Sequence, residues 1–544
     1  MGTIIILAVI AVLLGLTVVA GLAASQGRQH ISEDYFLAGR SLPWYVVAFS
    51  VAGLSLRLEM WLGLLGLTYV AGIAAGGLAW GSFIGLTVLT GVFLPYFIRK
   101  KISSPAEFLE RRFSPGTRSL FALLSILFLL LGVLVPALYV GGWVLLEAGF
   151  DIRLMPIDGI PWIFFACVAA VALLSSLAGA IGGSMAGAWG GAVQFVVIVI
   201  GGTVFAVVAT HDAGGLANVW ETNSPVKTSL LLSSHGLLPW VAFAFSIGFW
   251  NSAVSPLVVQ RCLGARSEWD ARLGAIVGGL LLLLLPAVFF LPGLAAVAKL
   301  VPPGNLMPEQ SSLRWIETLF GRQNLLRAAG QGLVIAAILA AIMNSVAAAV
   351  HAVSTLWTMD ISQNLLHRND SESELIARGR RSSLATILLA TLLTPPLLAW
   401  DQGILHYVLE VTAIIGPPAG VVFLVAFFWS SAHGRSAIAT LVSGCLVGAI
   451  LWFIVAQAEV VPEWLKPVAI RAGVTSLASL VLLGLFTFVI PQNSHELYDP
   501  NAAWSLELAI LPPHEKDAGS GLGNLLFWWS LMFLASVSVW IVLR

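Results

Sequence analysis

Arg57 and Glu59 are the residues of this chain best placed to do chemistry, because they stand near the middle of an otherwise apolar run, Trp44 to Gly72. The centre of the run reads Gly53-Leu54-Ser55-Leu56-Arg57-Leu58-Glu59-Met60-Trp61. A full charge at the centre of a membrane span costs about 2.5–3.5 kcal/mol on insertion scales, so it faces a partner or a wet cavity. Residues two apart point to different sides of a regular helix. Either each charge has its own partner on another helix, or the helix is unwound here and the two are brought together. Both arrangements put a polar site at mid-membrane.

Other clusters are weaker. His406 and Glu410, four apart, share one face of a later apolar run, with Asp401 about a turn outward. Such a group can carry a proton, since His titrates near neutral pH, and it can equally be a solvated mouth. His351 reads as an interhelical hydrogen-bonding group. His495-Glu496 lacks a second His at metalloprotease spacing, and Gly182-Gly183 and Gly190-Gly191 lack a following Lys and a strand. Neither a zinc helix nor a phosphate loop is therefore expected. Cys167, Cys262 and Cys445 lie in or beside apolar runs, which argues against a disulfide framework or a metal cluster. With no nucleophile–base spacing either, neither an enzyme nor a cofactor is expected.

The elements that must position these residues are membrane helices. Of 544 residues, 58% are hydrophobic and only 10% charged, a composition no soluble core needs. The zero formal net charge argues against a nucleic-acid partner. The expected fold is an all-α polytopic protein, one integral domain over residues 1–544, with the lipid bilayer and a small-molecule solute as partners. A helix needs about 20 apolar residues to cross the hydrocarbon core. That rule gives fourteen spans: 3–24, 45–68, 74–98, 119–147, 162–178, 188–210, 237–258, 273–299, 330–357, 384–400, 405–429, 437–456, 470–490 and 525–543. The first lacks a basic start and reads as a retained helix rather than a cleaved signal. Loops 25–44, 99–118, 259–272, 358–383, 430–436 and 491–524 carry 17 Lys and Arg, about twice the opposite set. They are expected to be cytoplasmic, with both termini outside, in a plasma or inner cell membrane. Spans 45–68 and 237–258 both carry polar or helix-breaking residues: Gly53 and the charges in one, Gly248, Asn251 and Pro256 in the other. They lie five spans apart, as in a five-plus-five inverted repeat whose matching helices break at a binding site. The expected division is a leading helix at 3–24, repeats at 45–210 and 237–429, and peripheral helices over 437–543.

Several stretches together resemble the sodium/solute symporter family. Asp34-Tyr35-Phe36-Leu37-Ala38-Gly39-Arg40-Ser41-Leu42-Pro43-Trp44 is close to that family's opening signature. Ser103-Ser104-Pro105-Ala106-Glu107-Phe108-Leu109-Glu110-Arg111-Arg112-Phe113 is similar to its loop before the fourth span. Gly182-Gly183 with Trp189 and Gln194, Gln260-Arg261, Ala341 to Ser345, Thr358 to Ile361, and Gly416-Pro417 through Phe428-Trp429 follow in the family's order. The resemblance implies a LeuT-type fold and alternating access. It places a sodium ion between the broken second span and the ninth, on the carbonyls of Gly53, Leu56 and Ala341 and the side chains of Asn344 and Ser345.

This chain departs from that pattern. Asn344 replaces a usual Ser, and Gly190-Gly191 stand where the family has a Thr-Asp pair whose carboxylate supports sodium coupling. Arg57 follows Leu56 where a small polar residue is usual. Three readings stay open: Arg57 replaces the sodium ion and transport is sodium-independent, Arg57 pairs structurally with Glu59, or Arg57 anchors a substrate carboxylate. Met60, Ala79 and Leu409 stand where sugar transporters carry hydrogen-bonding side chains, so a smaller or less polar solute than a sugar is expected. Arg57, Glu59, Met60, Trp61, Trp80, Ser82, Phe249 and Asn251 are the expected solute-site residues. The leading function is secondary transport of a small organic solute. The alternative is a non-transporting subunit or sensor on a degenerate symporter scaffold.

Overall fold

The computed structural model describes residues 2–27, 30–73, 80–149, 160–228, 238–299, 308–364, 370–400, 402–457, 461–492, 506–515 and 520–542, and these are almost wholly helical. Among the described residues, eleven helices are long and apolar enough to cross a membrane, and three apolar helices are shorter: Trp44–Ser55, Trp162–Leu177 and Leu525–Val539. The fourteen expected crossings are thus not all carried by full-length helices.

Two of the departures from regular spans have local causes. Expected span 45–68 is two helices, Trp44–Ser55 and Leu58–Ala71, parted at Leu56 (φ −88°, ψ 45°) and Arg57 (φ −59°, ψ 161°). The Leu56 N–H still reaches Ala52 O at 3.0 Å, and the Trp61 N–H restarts the ladder on Arg57 O at 3.1 Å. Such irregular backbone survives at membrane depth only where protein buries it or it borders a polar cavity. Expected spans 162–178 and 188–210 form one run, Ile160–Asp212, kinked at Gly183 (φ 59°, ψ −151°). A Cβ on Gly183 would fall 2.5 Å from Tyr35 O, so this left-handed corner admits glycine alone.

The second broken helix lies over Leu238–Leu263. Leu238–Phe245 stops at Ser246 (φ −120°, ψ −92°), a widened turn covers Trp250–Val254, and Ser255 (φ −55°, ψ 129°) leaves the helix before Pro256 restarts it. The proline ring disfavours helical backbone at the residue before it, which places that second break at Ser255.

Packing is concentric. The helix from Leu325 to Gln363 is nearly all buried, against Ile160–Asp212 and Gly2–Ser25. The outer helices Gly434–Gln457 and Val468–Val489 expose Phe453, Leu477, Val481 and Phe488, side chains suited to lipid. The Lys- and Arg-rich loops gather at one end. Arg40 donates to Lys101 O and Ile102 O, Arg99 to Glu268, Arg118 to Asp360, and Arg435 to Pro491 O. Arg112 donates to four carbonyls, those of Ala426, Ala432, Trp429 and Ser430, at 2.7–3.2 Å. At this end burial alone would raise the Glu107 carboxyl. The bonds from Ser103 Oγ and N–H, with Arg111, outweigh it and hold that carboxyl below the usual range.

Candidate functional site

The two broken helices meet at one cavity of about 50 Å³. Leu54, Ser55 and Arg57 come from the first break, and Phe243, Asn251, Ser252, Ser255, Leu257 and Val258 from the second. Ser82, Leu282, Leu405, Val408, Leu409 and Thr412 complete the wall. That volume holds a few waters, well short of the roughly 300–1,000 Å³ of drug-sized pockets.

The polar groups on this wall differ in what they offer. Ser55, Ser252 and Thr412 donate their hydroxyl hydrogens to Val51 O, Gly248 O and Val408 O of their own helices. They present lone pairs alone to a ligand. Ser255 Oγ is buried with no hydrogen-bond partner among the described residues. Arg57, only 7% exposed, brings a cation to a wall that mixes hydroxyls and the Asn251 amide with aliphatic side chains.

Of the expected solute-site residues, the fold brings Arg57, Ser82 and Asn251 together at the cavity. Trp61, Trp80 and Phe249 do not line it. Trp61 packs edge-on against Phe289 at 5.0 Å between ring centres. Trp80 donates its indole N–H to Leu283 O and stacks near Trp240, and Phe249 packs against Phe93. The side chains of Glu59 and Met60, with Ala79, Asp401 and His495-Glu496, lie outside the described residues. Sequence reasoning missed Ser55, Ser252, Ser255 and Thr412. Ser255-Pro256 was the legible signal, since that dipeptide marks a break.

The expected sodium position is a separate place, built around Asn344. A Cβ on Gly53 would fall 2.7 Å from Asn344 Nδ2, and one on Gly191 would fall 2.6 Å from Asn344 Oδ1 and 3.4 Å from Ser50 Oγ. The carboxamide is thus seated between two glycine faces. Both its polar atoms and Ser50 Oγ are buried without a hydrogen-bond partner among the described residues. Ser345 Oγ donates to Ala341 O at 3.0 Å, so two of the expected ligands are bonded to each other. Leu56 lies at the break itself. None of Gly53, Leu56, Ala341, Asn344 or Ser345 lines the Arg57 cavity.

A third cluster lines neither place. Arg471 forks onto Glu410, with Nη1 2.9 Å from Oε2 and Nη2 on Oε1, and His406 Nε2 lies 3.1 Å from the same Oε1. Glu410 and Arg471 are buried and His406 is half-buried. His351 bonds Phe36 O at 3.2 Å, an interhelical contact.

Two discontinuous helices converging on a polar cavity inside an apolar helical shell define a polytopic membrane transporter fold of LeuT type. The chain belongs to the sodium:solute symporter family, whose sequence model matches residues 35–444. It is 28% identical to a sodium/glucose cotransporter of Vibrio parahaemolyticus, over 76% of this chain and 78% of that one. It is 26% identical to sodium/glucose cotransporter 1 of Oryctolagus cuniculus, over 89% of this chain and 78% of that one. A solved Na+-coupled sialic acid symporter, substrate-bound and outward-open, superposes with TM-score 0.75 at 18% identity, covering 90% of this chain and 98% of that one. Mhp1, a nucleobase-cation-symport-1 family transporter, gives 0.51 at 12% identity, covering 87% and 98%. At those identities the two structures speak for the fold.

Proposed function

We propose that this protein is a secondary transporter of a small organic solute bearing a carboxylate, held by Arg57 and moved by alternating access without a sodium gradient. The observation that carries this reading is the placement of Arg57 at the Leu56–Arg57 break, on the wall shared by both broken helices. A guanidinium has five donors in a planar fork and takes a carboxylate bidentately. Its fixed charge supplies at the break what a coupling cation would bring, and it repels a second cation nearby.

The relatives are named as sodium/glucose cotransporters. A sugar needs each hydroxyl paired when it leaves water. Here Leu409, Leu405, Leu282 and Val408 occupy much of the wall, which suits a solute with one charged end and an apolar body. Repeats 45–210 and 237–429 would rock about this cavity.

Uptake into proteoliposomes tests the reading, with a panel of small carboxylates and sugars, sodium exchanged for choline, in the parent and in Arg57→Ser. Carboxylate uptake that ignores the exchange and collapses in Arg57→Ser is expected. Sodium-dependent uptake would end the sodium-free part. Preferred uptake of a neutral solute untouched by Arg57→Ser would end the anion part. A solute that raises the melting temperature but is never moved would make the protein a sensor.

A further inference from the structure

We propose that Asn344 and Gly191 act as a matched pair that closes the cation position, and that exchanging both residues would open it to sodium. The inference deepens the sodium-free reading above and names other residues than Arg57 as its determinant. Gly191 lies in the Ile160–Asp212 run and Asn344 in the buried Leu325–Thr355 helix, 153 positions apart in sequence yet in contact. The Asn344 carboxamide, in the place it takes here, occupies the space a Cβ on Gly191 or Gly53 would need: those Cβ positions lie 2.6 Å and 2.7 Å from its two polar atoms. A side chain at either glycine would have to displace the amide, because real Cβ contacts essentially never come under 3.0 Å.

The chemistry points the same way as the sterics. A carboxamide presents one acceptor and one donor end, and a donor N–H repels a cation. Exchanging the amide oxygen and nitrogen only changes which glycine faces the donor. Gly191 contributes no carboxylate, and the nearest side chains at the two glycine faces are Asn344, Ser50 and Phe195, all neutral. A monovalent cation entering there would meet the amide N–H at one face and no carboxylate among these contacts. The glycine at 191 and the carboxamide at 344 are therefore fitted to one another across two helices. Either substitution alone leaves a misfit: Gly191→Asp collides with the amide, and Asn344→Ser leaves room without charge.

The test reads sodium directly and needs no solute, so it stands or falls separately from the Arg57 anchor. The purified full chain is melted in detergent across a sodium chloride series, with choline chloride holding ionic strength constant. The parent is expected to show no difference between the two salts. Gly191→Asp alone is expected to lower the melting temperature in both. Gly191→Asp with Asn344→Ser is expected to recover most of that loss and to gain a saturable, sodium-specific rise. Should the double variant not fold, Asn344→Ser alone still reports, because it is expected to tolerate a Gly191→Ala that the parent does not. A saturable sodium-specific rise in the parent would overturn the proposal. So would equal damage from Gly191→Ala with and without Asn344→Ser.

Discussion

Arg471 and Arg57 are both buried in apolar surroundings, yet they are set differently. Arg471 is fastened: its two terminal nitrogens close on the two oxygens of Glu410, and neither residue lines the cavity. Arg57 stands at a helix break and lines the cavity where the two discontinuous helices meet. The first arrangement joins two helices across 61 positions of sequence. The second places a guanidinium on the wall of that cavity. A buried charge alone thus says little about function; what its fork faces says more.

The contrast can be broken most severely at Glu410. Glu410→Ala should strand a buried guanidinium and cost about 3–5 kcal/mol, read by unfolding in micelles. Replacing both partners, Glu410→Leu with Arg471→Leu, should restore most of that, since an apolar pair of similar volume is often neutral or better. Arg57→Ser should do the opposite: melting changes less than in Glu410→Ala, while carboxylate uptake drops about 10–100-fold, matching the roughly 1.5–3 kcal/mol of hydrogen bonds to a charged group. If Arg57→Ser melts as badly as Glu410→Ala, the contrast is wrong. Ser255→Ala should weaken solute affinity by only about 2–10-fold, one neutral hydrogen bond of roughly 0.5–1.5 kcal/mol. The smallest effect concerns pH. The Glu107 carboxyl is held below its ordinary value of 4.5, so its stabilisation is full above that pH and fades as pH falls through the depressed value. The melting gap between parent and Glu107→Gln should therefore shrink on acidification from pH 7.

The sequence foretold the helical class and the neighbourhood of the second break and offered the break at Arg57 as one of two arrangements, because charge and proline inside apolar runs are local signals. His406 and Glu410 were legible as neighbours from their spacing of four, and they lie 3.1 Å apart. Arg471 was not, since it comes from another helix and no periodicity connects the two. Asn344 and Gly190-Gly191 stood out separately as departures, but their contact depends on how two helices cross. Trp61 and Trp80 show the opposite failure. An aromatic beside a polar site has the same sequence appearance whether it faces a cavity or Phe289 and Leu283 O. Gly183 was noticed as half of a glycine pair, whereas its role at a corner against Tyr35 O needed coordinates.

Arg112 carries a last implication. In hydrocarbon, lipid tails solvate an apolar helix face as well as another helix does, so greasy contact alone gives outer helices little reason to stay. One guanidinium gripping the carbonyls of Ala426, Trp429, Ser430 and Ala432 works as a rivet through the turn that precedes Gly434–Gln457. The outer layer is then held by a polar fastening at its end as well as by the close packing of Gly444 and Gly448 on Pro418 and Ile414 along its length.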